Sequence, residues 1–125
     1  MFRLVKKFGK THAMKNYIPS KGDIIWLDFN PQAGREIMKR RPALVLSPQE
    51  YNQHGLILAV PITSKIKGYP FEVKINNDKI KGVALADAIK SLDWKQRNAE
   101  FIGLASKEEL VEVLKLLSTL LKSNF

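Results

Sequence analysis

Apolar residues in this chain come in short runs separated by turn residues. Gly22-Asp23 precedes a run over 24–29 that Asn30-Pro31 ends, and Arg41-Pro42 precedes a second over 43–46 that Ser47-Pro48 ends. Residues 56–63 form a third. These runs show no alternation, as expected of strands covered on both faces. At 71–75 the pattern changes: Phe71, Val73 and Ile75 alternate with Glu72, Lys74 and Asn76, so one face turns inward and the other to water. Residues 82–86 give a fifth strand, with a continuation around Ile89 and Leu92. Between the first two runs, residues 30–41 hold Pro31, Gly34, three arginines and little apolar material, which predicts an exposed loop. The sum is a small β-rich barrel.

The last segment has helical spacing. Leu110, Val113, Leu114, Leu117, Leu120 and Leu121 share one face, and Val111 and Leu116 widen it. Ser106 followed by Glu109 is a capping box, while Glu108, Glu109 and Glu112 lie near the positive end of the helix dipole and Lys122 near the negative end. The apolar face is broad enough to cover the barrel alone or to meet a second subunit as well.

Length and charge narrow the picture. At 125 residues, 45% apolar and 26% charged, the chain suits one compact domain. It has no cysteine, which excludes disulfides, thiolate metal sites and cysteine nucleophiles. The apolar stretch at 56–62 is interrupted by Pro61 and is far shorter than the ~20 residues of a membrane helix. A cytoplasmic protein with no membrane contact is expected. The net charge is +9, but residues 1–22 hold six of the 21 basic side chains and none of the 12 acids, so the rest of the chain is only mildly basic. Residues 1–13 are expected to be a flexible basic leader or an over-long start, and residues 14–125 the domain.

Few residues offer chemistry. His12 and His54 have no spacing that would bring them together, no glycine-rich phosphate loop is present, and no metal or cofactor is expected. The segment 35–41 sets Glu36 among Arg35, Lys39, Arg40 and Arg41. Such a set suits a phosphodiester, because a carboxylate can take the proton of a ribose 2′-OH while a guanidinium holds the non-bridging oxygens. A solvated loop in which Glu36 merely pairs with Arg40 or Lys39 is the commoner arrangement for such a segment, and composition alone does not overturn it. Thr63 and Ser64 end the third run just before Lys65 and could hold a phosphate oxygen, or could bond only to backbone. Trp26, Phe29 and Tyr69 are near enough to these loops to stack on bases, whereas alternation makes Phe71 a core residue.

An ordered series of strings resembles the MazF/PemK toxins of bacterial toxin–antitoxin modules, including ChpB-type members. It runs from Tyr17-Ile18-Pro19 with Gly22-Asp23-Ile24-Ile25-Trp26 and Asp28-Phe29-Asn30-Pro31 through Arg41-Pro42-Ala43-Leu44-Val45-Leu46-Ser47-Pro48 and Tyr51-Asn52 to Val60-Pro61-Ile62-Thr63. It continues with Lys67-Gly68-Tyr69-Pro70-Phe71-Glu72-Val73, Gly82-Val83-Ala84-Leu85-Ala86-Asp87, Trp94 and Arg97. The resemblance implies an SH3-like small β-barrel (MazF/PemK/CcdB-like) with a C-terminal helix. It further implies a homodimer that cuts single-stranded RNA or mRNA without metal, leaving 2′,3′-cyclic phosphate and 5′-hydroxyl ends. The family's glutamate falls on Glu36, its arginine on Arg41 and its threonine on Thr63, implying a general base, a phosphate binder and proton donor, and a phosphate-oxygen donor. Asp87 matches an aspartate that some PemK-type members use. Lys39, Arg40, Ser64, Lys65, Lys67, Asp87 and Arg97 are the expected RNA-binding residues. A MazE/PemI-like antitoxin, with a disordered acidic segment that occupies the RNA path, is the implied partner.

The sequence departs from the family at Leu85, where PemK-type members have arginine, at Ala88, often glutamine, and at Asn98, usually glycine. Two other functions fit the same barrel: a non-catalytic nucleic-acid-binding module and a gyrase-poisoning toxin.

Overall fold

Strands with apolar residues on both sides must lie in the middle of the molecule, and they do. The computed structural model describes residues 16–29 and 40–122. Strands β1 (Asp23–Asp28), β2 (Arg40–Val45) and β3 (Leu56–Thr63) are central in an antiparallel sheet. Around them lie β4 (Glu72–Asn76), β5 (Lys81–Leu85), β6 (Lys90–Asp93) and β7 (Glu100–Leu104). The order is β4-β5-β3-β2-β1-β7, with β6 also paired to β3. One face buries Ile24, Leu44, Val60, Ile62, Val73 and Ile75, and the other Ile25, Leu27, Ala43, Val45, Ile57 and Leu92. Residues adjacent in sequence therefore enter different cores, which is why the runs do not alternate.

The sheet curls into a half-barrel with β4 and β7 at its edges. Helix α2 (Lys107–Leu121) covers the first core, with Val113 and Leu117 buried and Leu110 and Leu114 half-buried, while Val111, Leu120 and Leu121 stay exposed. The expected capping box is present: Ser106 Oγ accepts from Glu109 N at 3.0 Å, and Glu109 Oε1 accepts from Ser106 N at 2.9 Å. Glu109 Oε2 also accepts from Asn76 N at 2.9 Å, tying the helix start to the end of β4.

Three expectations need correction. Arg40 and Arg41 are strand residues, since β2 begins at Arg40 instead of within the run at 43–46. The segment around Ile89 and Leu92 does not prolong β5 but forms β6, which pairs with β3. Strand β7 and the short helix α1 (Gln49–Asn52) were not anticipated. The expectations for residues 1–13 lie outside the described residues.

Candidate functional site

Adjacent residues of a strand start toward opposite sides of the sheet, and although Arg40 and Arg41 both reach the cleft beside Trp26, they differ in what they bond. Arg40 lies opposite Asp28 in the β1–β2 register and is committed to it, with Nη1 2.6 Å from Asp28 Oδ1. Its Nη2 donates to Asn98 O at 3.0 Å and to Glu100 Oε1 at 3.2 Å. Asp28 is buried and accepts from Asn98 Nδ2 at 2.8 Å through its other oxygen. The hydrogen bond from Asn98, then that from Arg40 together with the Arg40 charge, hold the Asp28 carboxyl below its ordinary pKa, against the opposing effect of burial. Asn98 adopts a left-handed conformation with φ 55°, which asparagine and glycine tolerate best, so this departure from the usual glycine keeps the backbone and adds a donor.

Arg41 is oriented otherwise. The β2–β3 register pairs Ala43 with Pro61, and continuing it by two residues sets Arg41 opposite Thr63. The two side chains line the same pair of clefts and form a ridge between them. Arg41 has no ion-pair partner among the described residues. One cleft, of about 380 Å³, contains Phe29, Lys65, Lys67, Tyr69 and Lys90. The other, of about 360 Å³, lies toward the first core and contains Trp26, Ser64, Lys79, Ile80 and Lys81.

The local backbone explains how the ridge is held. Thr63 Oγ1 accepts from Lys65 N at 3.1 Å, turning the chain out of β3 into the lysine-bearing loop. Glu72 accepts from Lys67 N at 3.0 Å and Gly68 N at 2.9 Å, fixing that loop from below. Lys67 Nζ stands 5.6 Å from the centre of the Tyr69 ring. Across β5, a Cβ on Gly82 would lie 2.3 Å from Thr63 O, so only glycine lets the two strands approach here.

The structure therefore brings together Arg41, Thr63, Ser64, Lys65 and Lys67 of the expected residues. Arg40 reaches the Trp26 cleft but is held by two carboxylates. Arg97 lines neither cleft; its Nη1 donates to Asp28 O at 3.1 Å and Phe29 O at 2.8 Å, anchoring the end of β1. Asp87 is exposed and lines neither cleft. Glu36 and Lys39 lie outside the described residues. Sequence reasoning missed Lys79, Lys81 and Lys90, whose signal lay in pairing that sets distant lysines beside β3. Leu85 and Ala88 line the Lys65–Lys90 cleft and give it an apolar stretch of wall.

A family model described as the PemK-like, MazF-like toxin of type II toxin–antitoxin systems matches residues 20–121. The chain belongs to this family. Among PemK/MazF-like proteins, it is 48% identical over 98 residues to the endoribonuclease toxin MazF of Escherichia coli (strain K12), covering 78% of this chain and 88% of that one. MazF (Form-I) from Deinococcus radiodurans superposes with a TM-score of 0.76 at 50% identity, covering 84% of this chain and 97% of the other. The MazE–MazF complex (Form-I) from the same organism gives 0.74 at 45% identity, with the same coverage. These matches span β1 through α2, the elements that build the ridge and both clefts in this PemK/MazF-like chain. Among its described residues no helix is long and apolar enough to cross a membrane.

Proposed function

We propose that this chain cuts single-stranded RNA at the ridge formed by Arg41 and Thr63. It is a MazF-type endoribonuclease toxin of a toxin–antitoxin system, acting in the cytoplasm on mRNA. The observation that carries this reading is a guanidinium with no ion-pair partner among the described residues, beside a threonine hydroxyl where two lysine-bearing clefts meet, in a chain 48% identical to an endoribonuclease toxin.

In the reaction the ribose 2′-oxygen attacks the adjacent phosphorus and the bond from phosphorus to the 5′-oxygen breaks. Glu36 takes the 2′-proton as general base, and the Arg41 guanidinium gives a proton to the leaving 5′-oxygen, both groups returning to their starting states by proton exchange with water. The products are a 2′,3′-cyclic phosphate and a 5′-hydroxyl. Arg41 holds the non-bridging oxygens and favours the charge that builds on them, with the Thr63 hydroxyl as a second donor. No step requires a metal. Lys65 and Lys67 neutralise neighbouring phosphates, while Phe29 and Tyr69 offer rings to the bases. Arg40 and Arg97 act by holding β1 and β2 in place.

Two partners follow. The complex of MazE with MazF among the similar structures supports a MazE/PemI-like antitoxin whose acidic segment covers the same cations. A homodimer is the assembled form.

The test is incubation of the purified chain with a long single-stranded RNA in EDTA, followed by analysis of fragment ends. Discrete fragments carrying cyclic phosphate and 5′-hydroxyl ends are expected, and they should vanish for Glu36→Ala. RNA left intact by the parent protein would overturn the reading in favour of a binding module.

A further inference from the structure

The Trp26 cleft carries cations that the reaction as described does not use. Its floor includes Ile62 and Ile80, its wall includes Trp26, and Lys79 and Lys81 stand exposed at its rim. Neither lysine has an ion-pair partner among the described residues, and Lys81 Nζ touches only the neutral Asn76 Oδ1, at 3.2 Å. Among the described residues no acidic side chain lines the cleft. The turn that presents Lys79 is fixed: Asn77 Oδ1 accepts from Lys79 N and Ile80 N at 2.8 Å each, Asn77 N donates to Ile80 O at 3.0 Å, and Ile80 is buried. The backbone that carries these cations is thus set before any ligand arrives.

Cations spaced along a groove beside an aromatic wall suit a single-stranded polyanion, because charge holds the backbone while ring faces take bases of any sequence. This cleft shares Arg41, Ile62 and Thr63 with the other one, while Lys65, Lys67 and Lys90 line only the other. A strand with its scissile phosphate on Arg41 continues in both directions, and one cleft receives only one of them. We propose that Trp26, Ser64, Lys79 and Lys81 form a second single-strand RNA subsite, which holds the nucleotides on the other side of the scissile linkage. This rests on the placement of the cleaved phosphate at Arg41 and Thr63.

The test compares the parent chain with Lys79→Ala/Lys81→Ala on an RNA extending several nucleotides to both sides of one cleavage point, and on the same RNA trimmed on either side. On the extended RNA the double variant should raise KM on the order of tenfold with kcat within about twofold. The slope of log KM against log salt should fall by roughly 1.4, as expected for two lost contacts to a single strand. Trimming one particular side should abolish the difference, whereas trimming the other should preserve it. A Lys107→Ala/Lys115→Ala control on α2 should leave KM unchanged. An unchanged KM on extended RNA, or an equal rise on both trimmed RNAs, would overturn the subsite while leaving the cleavage reaction intact. Unchanged RNA kinetics with weakened binding of a poly-glutamate peptide would assign the cleft to an acidic polypeptide and overturn it as well. Failure of the parent chain to cleave any of these RNAs would overturn both the subsite and the reaction it serves.

Discussion

Arg40 and Arg41 stand one step apart on a strand, yet Arg40 is tied to Asp28 and Glu100, whereas Arg41, which we propose meets substrate, has no ion-pair partner among the described residues. Arg40 neutralises Asp28, and the pair sets a testable dependence on pH. The Asp28 carboxyl lies below its ordinary value of 3.8 in the folded protein. Its contribution to stability is therefore complete above that ordinary value and is lost as pH falls through the lowered folded one. Asp28→Ala should destabilise the protein by about 1–3 kcal/mol at pH 7, by loss of hydrogen bonds to a charged group. Urea unfolding should show the gap to the parent closing as pH drops below 3.8, and a gap that stays constant would contradict the assignment. The division between the two arginines was half legible in the sequence. Arg-Pro before an apolar run marked a strand boundary, but the side facing Asp28 followed only once β1 and β2 were in register. Asn98 shows the reverse: nothing in the sequence signals its left-handed backbone, visible only as its φ of 55°, or the hydrogen bond that its side chain gives Asp28.

At the scale of elements, legibility followed how local each signal was. The capping box of α2 depends on two residues three apart, and it was readable in full. Ser106→Ala should cost about 1 kcal/mol, whereas Ser106→Asp should stay near the parent, because aspartate caps as well as serine. Thermal unfolding checks this, and a loss from Asp as large as that from Ala would contradict the cap. The runs forming β1 and β3 were readable because both are almost wholly apolar, although Leu56 and Leu58 at the start of β3 stand exposed. Strand β7 was not, since its single buried residue, Ile102, gives no period and its place is set by pairing with β1. Helix α1 is a single turn, held by the buried Asn52, whose side chain accepts from Ser47 Oγ at 2.6 Å and donates to Pro19 O and Ser47 O at 2.7 and 2.9 Å. That network joins residues 33 positions apart, which no local pattern announces.

For the whole molecule, the basic character that matters is assembled by folding. Outside residues 1–22 the chain is only mildly basic, yet Lys65, Lys67 and Lys90 meet in one cleft and Lys79 and Lys81 in the other. Composition understated this, because spacing along the chain says nothing about which loops share one end of a sheet. The Arg41–Thr63 ridge stands between these clefts, on a frame secured by Arg40, Asp28 and Arg97. On the proposed reaction, chemistry and stability fall to different side chains of one short segment. Comparison of Arg40→Ala with Arg41→Ala tests that most directly, with kcat on single-stranded RNA and unfolding free energy measured on both variants. Arg41→Ala should lower kcat by roughly 10²-fold or more, as for loss of a donor to transition-state charge, with stability within about 0.5 kcal/mol of the parent. Arg40→Ala should lose about 1–3 kcal/mol of stability and, while folded, keep kcat within a few-fold. Loss of kcat in Arg40→Ala with full activity in Arg41→Ala would contradict the account.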